Sequence, residues 1–108
     1  MGMWFNMEFQ CRLTKILESI TNISEKFYRQ NNSEAYKDLD NLFIEFDFLL
    51  NNKEMLLNEV IKNNVMDISL FLGNILEALK ERDGVLIADI LSFDISERIK
   101  NISDVIGE

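Results

Sequence analysis

The scarcity of helix-breaking residues is the strongest constraint on the fold of this chain. Its 108 residues include no proline and only four glycines. Gly2 and Gly107 stand at the two ends, and Gly84 follows a predicted turn, so only Gly73 falls inside a periodic apolar segment. A β-rich domain of this length needs many turns and therefore more turn-forming residues. We therefore expect an all-α fold.

The segment from Asp83 to Ile106 is predicted to form the central helix, around which the rest of the chain packs. Its apolar side chains recur at helical spacing at Ala88, Leu91, Ile95, Ile99, Ile102 and Ile106. The first half also carries Leu86, Ile90 and Phe93 on a different side. A helix that is apolar on nearly all sides is covered nearly all round. We expect its first three turns to be the most enclosed part of the molecule.

Three further amphipathic segments predict three more helices. The apolar periodicity places the four helices at about residues 3–30, 34–51, 54–82 and 84–106. Ser33 or Asn32 is the expected N-cap of the second helix, and Asp83 that of the fourth. Short connections between long helices favour antiparallel neighbours. The prediction is one domain over residues 1–108, an all-α, antiparallel up-down-up-down four-helix bundle.

The spacing of apolar residues also assigns an inward face to each of the first three helices. On the first helix this face consists of Phe5, Phe9, Leu13, Ile16, Ile20, Ile23 and Phe27. On the second it consists of Tyr36, Leu39, Phe43, Phe46 and Leu50, with Leu42 and Leu49 beside it. On the third it consists of Leu57, Ile61, Val65, Ile68, Leu72, Ile75, Leu76 and Leu79.

The charge of the chain excludes two classes of partner. The formal net charge is −8, and residues 32–54 and 83–108 each carry six acidic and two basic side chains. Such a surface repels nucleic acid and anionic membranes. Cys11 is the single cysteine, which rules out an internal disulfide and is typical of a reducing compartment. With no secretory signal or membrane-spanning run in the sequence, we expect a cytoplasmic protein.

Several large apolar side chains lie outside the predicted inward faces, and they form the candidate interaction surface. They are Trp4, Met7, Ile44, Phe48, Met66, Leu70, Leu86, Ile90 and Phe93. Clustered aromatic and aliphatic side chains on a surface usually mark an interface. We therefore expect either a homodimer or a groove for a protein partner, and irregular packing that covers these side chains is the alternative.

The sequence argues against catalysis. It contains no histidine, which removes the usual hydrolase triads and most zinc sites, and no glycine-rich phosphate loop. We predict no catalytic, cofactor or metal site. The alternative is a carboxylate-only, metal-dependent hydrolase, whose candidate ligands are Asp83, Asp89, Asp94 and Glu97. We expect Asp89 to bond Tyr36, Arg12 or a turn, or to face solvent, and Asp94 to pair with Arg98 four residues on.

Residues 75–95 carry a recognisable pattern. An amphipathic helix is followed by Asp-Gly-Val-Leu-Ile-Ala-Asp-Ile-Leu at residues 83–91, and then by an aromatic and an acidic residue, Phe93 and Asp94. This pattern resembles that of short, uncharacterised helical-bundle proteins of Gram-positive bacteria. The resemblance implies a bacterial protein with a helical fold, and no activity is attached to it.

Taken together, these features predict a non-catalytic protein-interaction or adaptor module that uses an apolar surface with an acidic rim. One concrete form is an export or assembly chaperone that sequesters an amphipathic partner helix. Two functions compete with this prediction, the carboxylate-only hydrolase and a structural subunit of a larger assembly.

Overall fold

A computed structural model describes the backbone of residues 3–107 and the side chains of residues 7–107. Over this range the chain is helical and contains no strand, so the predicted all-α class is confirmed. The helices are α1 (Met3–Tyr28), α2 (Asn32–Leu50), α3 (Glu59–Lys80) and a continuous fourth helix, which is built from α4 (Gly84–Asp89), a π-helical segment (Ile90–Ile95) and α5 (Ser96–Gly107). The molecule measures 42 × 21 × 19 Å. Among the described residues, no helix is long and apolar enough to span a membrane.

Helices α1 and α3 end in the same hydrogen-bonded motif. Gln30 and Arg82 have φ angles of 62° and 54°, and the next residue in each case donates its backbone N–H to a carbonyl five residues earlier. This is the Schellman arrangement, whose left-handed position is usually glycine. The chain therefore turns sharply after each of these helices without using a glycine there.

The start of the fourth helix was predicted correctly, but two other helix starts were not. The Asp83 carboxylate accepts a hydrogen bond from the Leu86 N–H at 3.0 Å. Helix α2 already begins at Asn32, so the predicted caps Ser33 and Asn32 lie inside it. Helix α3 begins only at Glu59, because Asn58 adopts an extended conformation and caps it. Residues 55–57 instead form a separate 3₁₀ turn.

The π-helical segment of the fourth helix does not interrupt its apolar stripe. Leu91 and Ile95 lie within this segment and Ile99 follows it in α5. All three side chains are fully buried, and the predicted stripe is continuous from Ala88 to Ile102. The first turns of the fourth helix are less enclosed than predicted, because Val85, Leu86 and Phe93 are exposed.

The core confirms the inward face of α1 but corrects that of α2. Every predicted α1 position from Phe9 to Phe27 is buried. On α2, Leu42 and Leu49 are fully buried, whereas Phe43 and Leu50 are only partly so. Successive residues of an α-helix are about 100° apart around its axis, and α2 is rotated by roughly half of that angle from the predicted orientation. Packing against α1 determines this rotation, because α2 contacts α1 far more extensively than α3.

The inward face of α3 is also narrower than predicted. Leu57 is 85% exposed on the 3₁₀ turn, and Met55 fills the core in its place. Leu76 is half exposed on the side of α3 that faces α2. A polar residue, Asn64, is buried instead, and it donates to the Val60 carbonyl and accepts from Asn101.

Polar contacts show which helices lie side by side. Gln10 and Ser103 exchange hydrogen bonds near one end of α1 and the fourth helix, and Ser24 donates to the Ala88 carbonyl near the other. These two helices therefore run in opposite directions. Helix α1 also pairs with α2, and α3 with the fourth helix, while α2 and α3 contact each other sparsely. The consequence is an open groove between α2 and α3.

Candidate functional site

A cleft lies where the end of α3 meets the start of the fourth helix, and we call it the acidic cleft. It encloses about 600 Å³. Its lining residues are Asn74, Glu77, Ala78, Glu81, Asp83, Leu86, Ile90 and Asp94. The turn at 81–83 folds α4 back onto α3, and this places carboxylates from both helices around one opening.

The acidic cleft combines an apolar floor with a charged rim. Ala78 and Ile90 are buried at its base, and Leu86 is 44% exposed at its edge. All four lining carboxylates are exposed. Glu77 pairs with Lys80 at 3.2 Å, and the Asp83 carboxylate accepts a hydrogen bond from the N–H of Leu86. The cleft thus offers apolar contact and negative charge to the same ligand.

The structure places the predicted interaction residues on several separate surfaces. Ile90 is only 6% exposed, so its assignment to the surface was wrong. The Trp4 side chain, like that of Phe5 on the predicted inward face of α1, lies outside the described residues. The others are exposed, by 39% at Phe48 and by 44–70% at Met7, Ile44, Met66, Leu70, Leu86 and Phe93. Of those whose side chains the structure describes, Leu86 and Ile90 line the acidic cleft together.

Phe48 has neighbours that its sequence position did not reveal. Its ring lies 6.3 Å from that of Phe9, between centroids, and the Arg12 guanidinium lies 4.0 Å from its ring centre. Arg12 also approaches Glu45 at 3.5 Å. Phe48 therefore packs on α1 through a cation–π contact, and 39% of its surface stays exposed.

A second cavity, which we call the apolar groove, consists mostly of residues that the sequence assigned to the core. It lies between α2 and α3 and encloses about 210 Å³. Its lining residues are Phe43, Phe46, Asp47, Leu50, Leu72 and Leu76. Periodicity marks the apolar positions but does not say which helices touch, so no signal in the sequence pointed to the groove.

The carboxylates of the hydrolase alternative do not converge. Asp89 accepts a hydrogen bond from the Tyr28 hydroxyl, rather than from Tyr36 or Arg12. Glu97 approaches Arg98, and only Asp83 and Asp94 line the same cleft. Among the described residues, no group of three or more acidic or cysteine side chains could hold a metal ion. The predicted pair of Asp94 with Arg98 is also wrong, because Arg98 bonds Asp67 of α3 at 2.9 Å.

Cys11 is exposed on α1. The residues flanking it along the helix are Met7, which is 67% exposed, and Lys15, which is also exposed.

Comparison with known families identifies a domain family to which this chain belongs. The profile of a family described as a domain of unknown function, DUF8042, matches residues 12–105. The chain belongs to this family. No curated protein and no solved structure matches it.

The DUF8042 match covers both cavities. Residues 74–94, which line the acidic cleft, and residues 43–76, which line the apolar groove, fall inside it. The expected membership of an uncharacterised family is therefore confirmed, and both cavities belong to the domain that defines the family.

Proposed function

We propose that this protein is a non-catalytic protein-interaction module whose acidic cleft binds a basic, amphipathic segment of a partner protein. The observation that carries the proposal is the combination of an apolar floor and four exposed carboxylates in one cleft of about 600 Å³. An amphipathic helix is the usual ligand of an apolar groove of this kind. Its apolar face would lie on Leu86 and Ile90, and its lysines or arginines along the rim.

The charge of the chain supports the basic character of the partner. With a net charge of −8, the protein attracts cationic segments over a distance and speeds their encounter. Glu81 and Asp94 line the cleft and form no ion pair among the described residues. A bound lysine or arginine would supply the missing counter-charge.

Several finer predictions belong to the same proposal. An export or assembly chaperone that sequesters a helix is its most concrete form, and a structural subunit of a larger assembly is its alternative. We infer a cytoplasmic, bacterial protein of Gram-positive origin, with the four helices completing an up-down-up-down bundle. A homodimer, expected from the apolar side chains outside the predicted inward faces, also remains a proposal.

The test uses a synthetic amphipathic helix of leucine and lysine, labelled with fluorescein, and follows binding by fluorescence anisotropy. We expect binding to wild type, which weakens as salt is added because the contacts are charged. The cleft variant replaces three rim carboxylates, by Glu77→Gln, Glu81→Gln and Asp94→Asn. The control variant removes the same charge from outside the cleft, by Glu18→Gln, Glu25→Gln and Asp104→Asn.

The two variants have equal net charge, so their comparison distinguishes binding at the cleft from attraction by the overall charge of the protein. We expect the cleft variant to bind the peptide at least tenfold more weakly than the control, about 1.4 kcal/mol. Equal weakening in both variants would show that the peptide is held by overall charge, and the proposed site would then be wrong. Leu86→Glu should abolish binding to the cleft, because it places a charge on the apolar edge.

A further inference from the structure

The α3 wall of the acidic cleft continues along the helix beyond the cavity. Viewed down the helix axis, at about 100° per residue, four side chains of α3 fall within a sector of about 60°. They are Glu81, Glu77, Asn74 and Leu70. The first three line the cleft, and Leu70 lies one turn beyond Asn74 and is 70% exposed. This wall therefore changes from charged near the turn at 81–83 to apolar at Leu70.

The opposite wall, on the fourth helix, is apolar between two carboxylates. Leu86 and Ile90 lie between Asp83 and Asp94 in the chain, and all four residues line the cleft. Leu86 is 44% exposed, whereas Ile90 is buried at the base. Leu70 is thus the most exposed apolar side chain beside the cleft, and it lies on the wall that carries Glu77 and Glu81.

A bridge between the two helices marks the far end of this surface. Arg98 donates to the Asp67 carboxylate at 2.9 Å, and its guanidinium lies 5.7 Å from the Phe71 ring centre. Asp67 and Phe71 lie on either side of Leu70 in the sequence, so the bridge crosses to α3 level with Leu70. From Glu81 to Leu70, α3 makes about three turns, which is about 16 Å at 1.5 Å per residue. The surface therefore matches about three turns of a bound helix.

We propose that the partner segment of the acidic cleft is a helix of about three turns, with two basic residues one turn apart and a large apolar residue two turns further on. The basic residues pair with Glu81 and Glu77, and the apolar residue covers Leu70. These intervals follow from α3 itself, because a helix packed at a small angle to it repeats its spacing over a few turns. The inference rests on the proposed function and specifies the ligand of the same cleft.

Leu70 gives the cleft a way to select its partner. An exposed ion pair contributes little by itself, because both charges are already well solvated. An apolar side chain placed on Leu70 removes apolar surface from water, and apolar contacts beside the ion pairs also exclude water from them. Leu70 therefore distinguishes an amphipathic segment from a basic segment that offers charge alone. A third basic residue fits on the other flank of the helix, against Asp94.

The test uses two fluorescein-labelled helical peptides of about 14 residues, enough for three turns and their ends. Both carry the two lysines, and they differ at the position that meets Leu70, which is leucine in one and alanine in the other. Each is made with the lysines near its amino or its carboxyl terminus, and the orientation that binds wild type more tightly is used. Fluorescence anisotropy measures the dissociation constants.

We expect Leu70→Ala to weaken binding of the leucine peptide about fivefold, because an apolar contact is lost. Binding of the alanine peptide should change by less than about twofold, since the partner of Leu70 is already absent from it. Leu57→Ala is the matched control. Leu57 is 85% exposed on the 3₁₀ turn, outside the cleft, and this variant should bind both peptides as wild type does. Far-ultraviolet circular dichroism should show that both variants are folded.

The possible outcomes separate this inference from the proposed function. If the cleft variant loses affinity for the leucine peptide while Leu70→Ala and Leu57→Ala bind it equally, the assigned role of Leu70 is wrong and the cleft remains the binding site. Equal weakening of both peptides by Leu70→Ala would also overturn the inference, because the effect would not depend on the opposing leucine. If neither peptide binds wild type, the inference and the proposed function are both wrong.

Discussion

Tyr28 of α1 donates a hydrogen bond from its hydroxyl to the Asp89 carboxylate, at the junction of α4 and the π-helical segment. The two residues are 61 positions apart in the chain, so the bond ties the first helix to the last. The hydrogen bond to Asp89, followed by partial burial, holds the pKa of Tyr28 above its ordinary value. The link therefore depends on a protonated tyrosine.

Replacing Tyr28 with phenylalanine should lower the free energy of unfolding by about 0.5–1 kcal/mol near pH 7, because one hydrogen bond to a carboxylate is lost. Tyr28 is 45% exposed, and solvent screening keeps the value small. Urea denaturation at several pH values measures it.

The same comparison has a defined pH dependence. A raised pKa in the folded state means that the contribution is present below the unfolded pKa of about 10 and is lost as the pH rises through the folded pKa. The difference between wild type and Tyr28→Phe should therefore disappear in strong alkali. A difference that stays constant across this range would contradict the assigned bond.

The two internal glycines should respond to alanine in opposite ways. A Cβ at Gly84 would lie 2.7 Å from the buried ring of Phe27, whereas a Cβ at Gly73 would meet nothing within 4 Å. We expect Gly84→Ala to lower the free energy of unfolding by about 1–3 kcal/mol through overpacking. Gly73→Ala should raise it by about 0.5–1 kcal/mol, because alanine favours the helix.

Thermal or urea unfolding of both variants beside wild type measures the two effects. Destabilisation by Gly73→Ala would contradict the open surroundings of this position.

Replacing Gln30 with glycine should stabilise the protein. Its φ of 62° lies in the left-handed region, which costs a residue with a side chain about 1 kcal/mol or more. We expect Gln30→Gly to raise the free energy of unfolding by about 0.5–1 kcal/mol. Arg29→Gly is the control: Arg29 has a negative φ, and glycine there only adds freedom to the unfolded chain. Equal effects of the two changes would refute the assigned turn.

Arg98 pairs with a different carboxylate in the structure from the one that the sequence predicted. Its guanidinium bonds Asp67 at 2.9 Å and lies 5.7 Å from the Phe71 ring centre. We expect Asp67→Asn to lower the free energy of unfolding by about 0.5–1 kcal/mol, the range of a partly exposed pair. Asp94→Asn should change it by less than about 0.3 kcal/mol. Chemical denaturation of both variants, side by side, decides between the two pairings, and the reverse order would favour Asp94.

Features that depend on nearby residues could be predicted. The scarcity of proline and glycine led to the helical class, and Asp83 was recognised as a cap because it needs only the N–H of Leu86, three residues on. The apolar row on α1 could be predicted because an amphipathic helix places such a row on one side. These are regularities within one or two helical turns.

The candidate sites depended instead on which helices are neighbours. Leu86 was expected at a surface, but its cleft exists only because α4 folds back against Glu77 and Glu81 of α3. The apolar groove was not expected, because Phe43 and Leu50 belong to a pattern that is typical of the core in any bundle.

By itself, the sequence determined that this chain is helical, where its helices change direction, and that its central apolar row is buried. The tertiary structure alone decided how α2 is rotated, which partner Arg98 takes and which grooves stay open. The physical reason is that one residue step turns a side chain by about 100°, and α2 and the fourth helix carry apolar residues on more than one side. Hydrophobic burial is non-directional, so several rotations of such a helix bury similar amounts of apolar surface. Contacts with helices that are far away in the sequence decide which rotation is adopted.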